Sequence, residues 1–293
     1  MLETRGLVRR FGDRVAVDEV DLIVPDGELV GFVGGNGAGK TTTMRMIMGV
    51  LANDDGEIRW NDAPVTPADR RSFGYMPEER GLYPKQPVLG QLIYLGRLQG
   101  LSQQEATESG TALLERFDLA DRAKDKLESL SLGNQQRVQI AAAVIAKPRL
   151  LVLDEPFSGL DPTAVDSMAD LLREHTARGV GVLFSSHQLE LVERLCDRLI
   201  VLSHGKVVAS GTAEELRRMG TARHRLTTDG DVSWVSGLDW LQVDNTEDRT
   251  AIVRFDGPDD ADRLLREALD RGRVHELTEL VPTVAEIFRE VTR

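Results

Sequence analysis

Between residues 28 and 47 the chain reads ELVGFV, then GGNGAGKT, then TTMRMI, and this stretch limits its fold more than any other. Glu28–Val33 is short, apolar and stopped by glycines, as expected of a strand buried in a parallel sheet. Gly34, Gly39, Lys40 and Thr41 occupy the positions of the phosphate-loop pattern G-x-x-x-x-G-K-[ST]. The glycines let the backbone curl until several N–H groups aim at one anion, and a helix predicted through TTTMRMIMGVL adds its positive N-terminal end. Lys40 is then placed to neutralise β- and γ-phosphate charge, and Thr41 to ligate Mg²⁺. A ligand-free Gly-rich turn is the bland alternative. The strand before the loop and the helix after it argue against that.

Composition bounds what surrounds this loop. With 293 residues the chain can bury a full core, and its length fits one large domain plus a smaller one. A net charge of −12 argues against a nucleic-acid face, which needs a basic stripe, so no nucleic-acid partner is expected. Cys196 is the only cysteine, so no internal disulfide or cysteine-based metal cluster can form. The opening MLETRGLVRRFG lacks the apolar core of a secretion signal. No apolar run approaches the ~20 residues that span a bilayer. A soluble chain that reaches a membrane only through a partner is therefore expected.

Strand-like and helix-like patterns alternate along the chain. Asp54-Asp55-Gly56 reads as a turn into an antiparallel strand, Glu57–Trp60. Residues 86–126 carry leucines at helical spacing, and Leu150–Leu153 and Val180–Ser185 read as buried strands with a helix between them. Leu199–Leu202 and Lys206–Ala209 flank His204-Gly205 as a closing hairpin. This alternation predicts an α/β core with a parallel sheet, an antiparallel β subdomain and a helical insertion over about 86–146. Lysine disappears after Lys206, and the apolar clusters shorten near Gly220. Residues 1–220 are read as the core domain and 221–293 as a small α+β accessory domain. Within the latter, 249–255 and 274–280 read as strands, 258–271 as a helix, and a last amphipathic helix starts after Pro282.

Two further segments carry chemistry. LLVLDEP buries a strand and releases Asp154 at its C-terminal end, where ligands of open α/β sheets collect. Asp154 suits a Mg²⁺ ligand, direct or through water, and Glu155 can then orient or deprotonate a water attacking the γ-phosphate. In LSLGNQQR, Ser131 and Gly133 precede a helix predicted over Gln135–Ala146, so a serine hydroxyl and free N–H groups make a second anion site. An ordinary serine cap would look the same. Because the chain already has one complete phosphate site, a second one calls for a phosphate from a second protomer, packed head-to-tail.

Taken together and in this order, the motifs resemble those of the ATP-binding cassette (ABC) ATPases over roughly residues 2 to 215. The resemblance implies a P-loop fold and ATP bound by Gly34, Gly35, Asn36, Gly37, Ala38, Gly39, Lys40, Thr41 and Thr42, the Walker A loop. It implies that Asp154 serves Mg²⁺, that Glu155 is the catalytic glutamate and that His187, after VGVLFSS, is the switch histidine at the γ-phosphate. It further implies that Phe11 stacks on adenine. Leu130–Gln136 would be the signature, with Ser131, Gly133 and Asn134 contacting the ATP of the opposite subunit, and Ser158–Asp161 would lie at the dimer seam. A homodimer, or a heterodimer with a similar cassette, would then drive separate transmembrane permease subunits from the cytoplasmic face of the membrane.

Three departures from the family pattern stand out. The signature carries Leu132 and Asn134 where LSGGQ is usual. Gly35 replaces a frequent proline. Glu78, in PEERGLYP, takes the place of a glutamine that reports on Mg²⁺; as a hard oxygen ligand it can join Thr41 and Asp154 at the metal, or it can be a solvated loop charge. PEERGLYP, the altered signature and the C-terminal PTVAEIFREV resemble a bacterial exporter branch that includes sodium-efflux and drug-resistance systems. The other function classes are a soluble ABC ATPase acting on ribosomes or nucleic acid, and a nucleotide-binding regulator. The single cassette, the acidic balance and the intact Lys40, Asp154, Glu155 and His187 count against them.

Overall fold

The computed structural model, which describes residues 1–79, 81–219, 223–255, 257 and 259–291, puts the run Leu29–Gly34 inside a sheet with every one of its residues buried. In chain order the elements of the first unit begin with β1 (Leu2–Phe11), β2 (Arg14–Val24), β3 (Leu29–Gly34), α1 (Lys40–Ile47), β4 (Asp55–Trp60), β5 (Ala63–Pro64), α2 (Pro67–Arg70) and β6 (Phe73–Met76). There follow α3 (Val88–Leu98), α4 (Gln103–Arg116), α5 (Leu132–Val144), β7 (Leu150–Leu153), α6 (Pro162–Thr176), β8 (Gly181–Ser186), α7 (Leu189–Leu195), β9 (Arg198–Ser203) and β10 (Lys206–Gly211).

Six strands form the main sheet in the order β10-β9-β3-β8-β7-β6. All its pairings are parallel except that of β9 with β10. The C-terminal ends of β3, β8, β7 and β6 therefore share one edge, and the segments they release carry residues 34–42, 187, 154–155 and 78. This is the edge where an open α/β sheet takes its ligands. A second, antiparallel sheet, β2-β1-β4-β5, packs on the first through a common core. Leu7, Val17, Val20 and Ile58 come from one side of it, and Phe32, Leu150, Leu183 and Leu202 from the other. Met44, Met46 and Ile47 of α1 are fully buried in the same core. At about 1.5–3 kcal/mol for each such side chain, they anchor the helix that the phosphate loop feeds.

Several boundaries differ from expectation. Asp55 and Gly56 belong to β4 instead of a preceding turn, because Gly56 (φ 80°) sits under β1, where a Cβ would come within 2.2 Å of Gly6 O. Helix α1 stops at Ile47, short of the predicted Leu51, and α5 starts at Leu132 because Ser131 caps it by accepting the Asn134 N–H. The β1–β2 hairpin went unread in the sequence: Glu19 (φ 54°) offsets the alternation, so Val17 and Val20, three residues apart, both face the core.

The chain divides into two units, Met1–Thr212 and Ala213–Arg293. The division precedes the expected boundary at residue 220 because α8 (Ala213–Met219) packs with the C-terminal helix of the second unit. That unit continues with β11 (Arg223–Thr228), β12 (Leu241–Glu247), β13 (Thr250–Phe255), α9 (Asp260–Arg271), β14 (Val274–Leu280) and α10 (Val284–Val291). Its antiparallel sheet has the order β12-β13-β11-β14 and its own core, with Leu226, Ala251 and Val253 against Leu264 and Ala268 of α9. Arg263 lies over Trp240 and Arg271 over Trp234, each at 4.2 Å, and these stacks hold α9 to the loop before β12.

His175 near the end of α6 is buried, and its Nδ1 pairs with Leu171 O at 2.9 Å. Burial holds its imidazole below the ordinary 6.5, against the pull of that carbonyl. The unfolded chain then binds the proton more readily, so stability falls as pH drops through about 6.5. We expect the melting temperature of the parent to fall between about pH 7.5 and 5.5 more steeply than that of His175→Leu. Parallel curves would show that His175 does not titrate across unfolding.

Candidate functional site

The phosphate loop is shaped by one close approach. Gly39 has φ 110°, and a Cβ there would lie 2.5 Å from Ala16 O, so only glycine lets the loop turn into α1 against β2. Gly35 faces open space, with nothing within 4 Å of where a Cβ would stand, so the missing proline removes no contact. Among the described residues no acceptor is matched to the N–H groups of Asn36, Gly37, Gly39, Lys40, Thr41 or Thr42. The residues that carry these donors line a cleft of about 450 Å³. Lys40 Nζ donates to Gly34 O at 2.7 Å and Gly35 O at 3.2 Å. Burial pulls its pKa below the ordinary lysine value, while Glu155, Asp154 and Glu78 push it back up.

Across the cleft stand the carboxylates. Asp154 is buried, and its Oδ1 accepts from Ser185 Oγ at 2.5 Å, while Oδ2 is buried without a partner. An orphaned buried carboxylate oxygen costs free energy unless a cation or water completes it. Glu155 has φ 51°, which costs a non-glycine residue about 1–2 kcal/mol. Its N–H donates to Ser185 Oγ at 2.8 Å, and its Oε2 lies 3.1 Å from His187 Nδ1. Thr41 Oγ1 is 3.5 Å from Glu78 Oε2, so Glu78 closes the side of the cleft nearest the α1 N-terminus. Arg80 of PEERGLYP lies outside the described residues.

Phe11, Asn36 to Thr42, Glu78, Asp154 and Glu155 line the cleft together, and His187 joins through Glu155. Phe11 is 49% exposed and carries Arg9 over its ring at 4.8 Å. Ser131, Gly133 and Asn134 do not line this cleft. Ser131 is exposed at the start of α5, next to Leu132, which is 61% exposed. The sequence reading missed Arg14 and Ala16 on the cleft wall, and also Ser185, which bonds Asp154 and the Glu155 N–H. No local signal places the first two at a cleft, because β2 reaches the phosphate loop only in the folded chain, and Ser185 reads in sequence as one more strand residue. Chemically, the cleft can hold a polyanion on N–H groups and Lys40, and set a carboxylate–imidazole pair beside it.

Comparisons with known proteins give the family. Residues 17–158 match the family model described as ABC transporter. The uncharacterized ABC transporter ATP-binding protein YhaQ of Bacillus subtilis is 44% identical over 248 residues, covering 83% of each chain. The chain belongs to the ABC transporter ATP-binding proteins. As a member it is an ATPase, the ATP-binding subunit of a transporter. The linearmycin resistance ATP-binding protein LnrL of Bacillus subtilis is 34% identical, over 78% of this chain and 76% of that one. A solved ATP-binding subunit of an ABC transporter superposes with a TM-score of 0.70 at 34% identity, covering 75% of this chain and 92% of the other. Residues 211–292 match the model described as ATP-binding protein DrrA1-3-like, C-terminal domain. No helix among the described residues is long and apolar enough to cross a membrane.

Proposed function

We propose that the chain works as a head-to-tail dimer of cassettes, each ATP lying between the phosphate loop of one copy and Ser131 and Gly133 of the other. The observation carrying this reading is that the exposed start of α5 lies outside the chain's own cleft, so its cap and free N–H groups have no use there. Phe11 stacks on the adenine. Glu155, oriented by His187, takes the proton of the attacking water. Leu132, exposed where the family pattern has glycine, lies at the dimer seam.

Mg²⁺ fits the orphaned Asp154 Oδ2 together with Thr41, with Glu78 at the edge. Among the described residues no group of three or more His, Cys, Asp or Glu could hold a metal ion, so Mg²⁺ here would take its remaining ligands from phosphate and water. When bound, the ion would offset charge between the β- and γ-phosphates.

The dimer drives a separate permease at the inner face of the cell membrane, in the direction of export, for ions or small molecules. The resistance role named for LnrL and the export role named for the Nod factor export ATP-binding protein I of Burkholderia lata, 38% identical, support that direction. The test is to purify the chain from native membranes. A multi-span membrane protein should copurify, and exported solutes should stimulate the ATPase. Recovery free of membrane protein, with stimulation by ribosomes or nucleic acid, would overturn the reading.

A further inference from the structure

Gln136 is half-buried in the first turns of α5, and its side-chain amide donates to Glu155 O and Pro156 O, each at 3.0 Å. A glutamine amide nitrogen carries two N–H donors, so both carbonyls can be served at once. On the other side of Glu155, Ser185 of β8 accepts the Glu155 N–H. Both peptide groups of a residue in the left-handed region are thus clamped, one by a fixed strand and one by a helix. Glu155 O also accepts from the Ser158 N–H at 3.2 Å, so loss of Gln136 loosens the turn without stranding that carbonyl.

We propose that Gln136 is a positioning residue that sets the Glu155 carboxylate from α5. This rests on Glu155 being the base and on the dimer reading above. Its consequence is directional: the base of one cleft is tied to the helix whose N-terminus turns toward the other copy's nucleotide. A shift of α5 on meeting that nucleotide moves the backbone that aims Glu155. A serine–strand contact alone cannot carry such a signal, because β8 lies inside the sheet.

The test uses the full chain with Gln136→Leu, Glu155→Gln and the double variant. Gln136→Leu should lower kcat about 10–100-fold, the range for a misplaced reacting group, with KM for ATP within about twofold. In the Glu155→Gln background the same change should lower the residual rate by less than about twofold, because the residue it acts through is gone. Gln136→Glu keeps the shape but turns oxygen toward the same carbonyls, and should lose at least as much. An unchanged kcat, or an equal loss in both backgrounds, overturns the assignment of Gln136. So does a lowered melting temperature together with lost ATP binding, which would make Gln136 purely structural. Rapid turnover by Glu155→Gln alone is a different result: it refutes the base itself, and the positioning role falls with it.

Discussion

Glu155→Gln is expected to bind ATP, lose turnover by about 10²–10⁴-fold and accumulate as an ATP-bound dimer. The substitution keeps the side chain's size and its contact distance to His187 Nδ1, 3.1 Å in the parent, but removes the proton acceptor. Bulk water does not easily replace that function, because the Glu155 side chain is only 14% exposed. The groups proposed to hold the nucleotide, the loop N–H groups, Lys40 and Thr41, lie elsewhere, so affinity should survive. Gel filtration with ATP, alongside a turnover assay, checks both halves. A variant that hydrolyses ATP at near-parental rate would show that another group takes the proton.

Lys40→Ala should fail at the earlier step. A charged hydrogen bond contributes about 1.5–3 kcal/mol, so ATP affinity should fall about 10–100-fold, and turnover should drop below detection. The change also removes the Lys40 bonds to Gly34 O and Gly35 O, at 2.7 and 3.2 Å, and leaves Asp154, Glu155 and Glu78 without their cation. Repulsion among these carboxylates then adds to the loss. Because burial lowers the Lys40 pKa below 10.5, ATP capture by the free protein should weaken at a more alkaline-sensitive point than an exposed lysine would give. Equilibrium binding of a fluorescent ATP analogue tests the first claim. Unchanged affinity in Lys40→Ala would remove the loop from ATP binding.

Much of the site was legible because its signals are local. The phosphate loop shows itself in glycine spacing between an apolar strand and a helix, and Asp154 in an apolar run that ends in acid. Ser131 is recognisable as a cap, although Leu132 and Gly133 disguised the helix start as a turn. Other features were hidden because they are relations between segments. Nothing in 181–186 distinguishes Ser185 from its neighbours, yet it bonds both Asp154 and the Glu155 N–H. Arg14 and Ala16 reach the cleft only because β2 lies across the phosphate loop, the same approach that demands glycine at residue 39.

Each segment's identity is written in its own residues: a phosphate loop, buried strands, a capped helix and a strand ending in Asp-Glu. These follow from side-chain burial, backbone freedom and capping within a few residues. That residues 40, 78, 154 and 187 meet is a property of the folded chain alone, because strand order β3-β8-β7-β6 is set by crossovers and core packing across more than a hundred residues. So is the left-handed backbone of Glu155, whose local cost is met by partners on β8 and α5 that are distant in sequence.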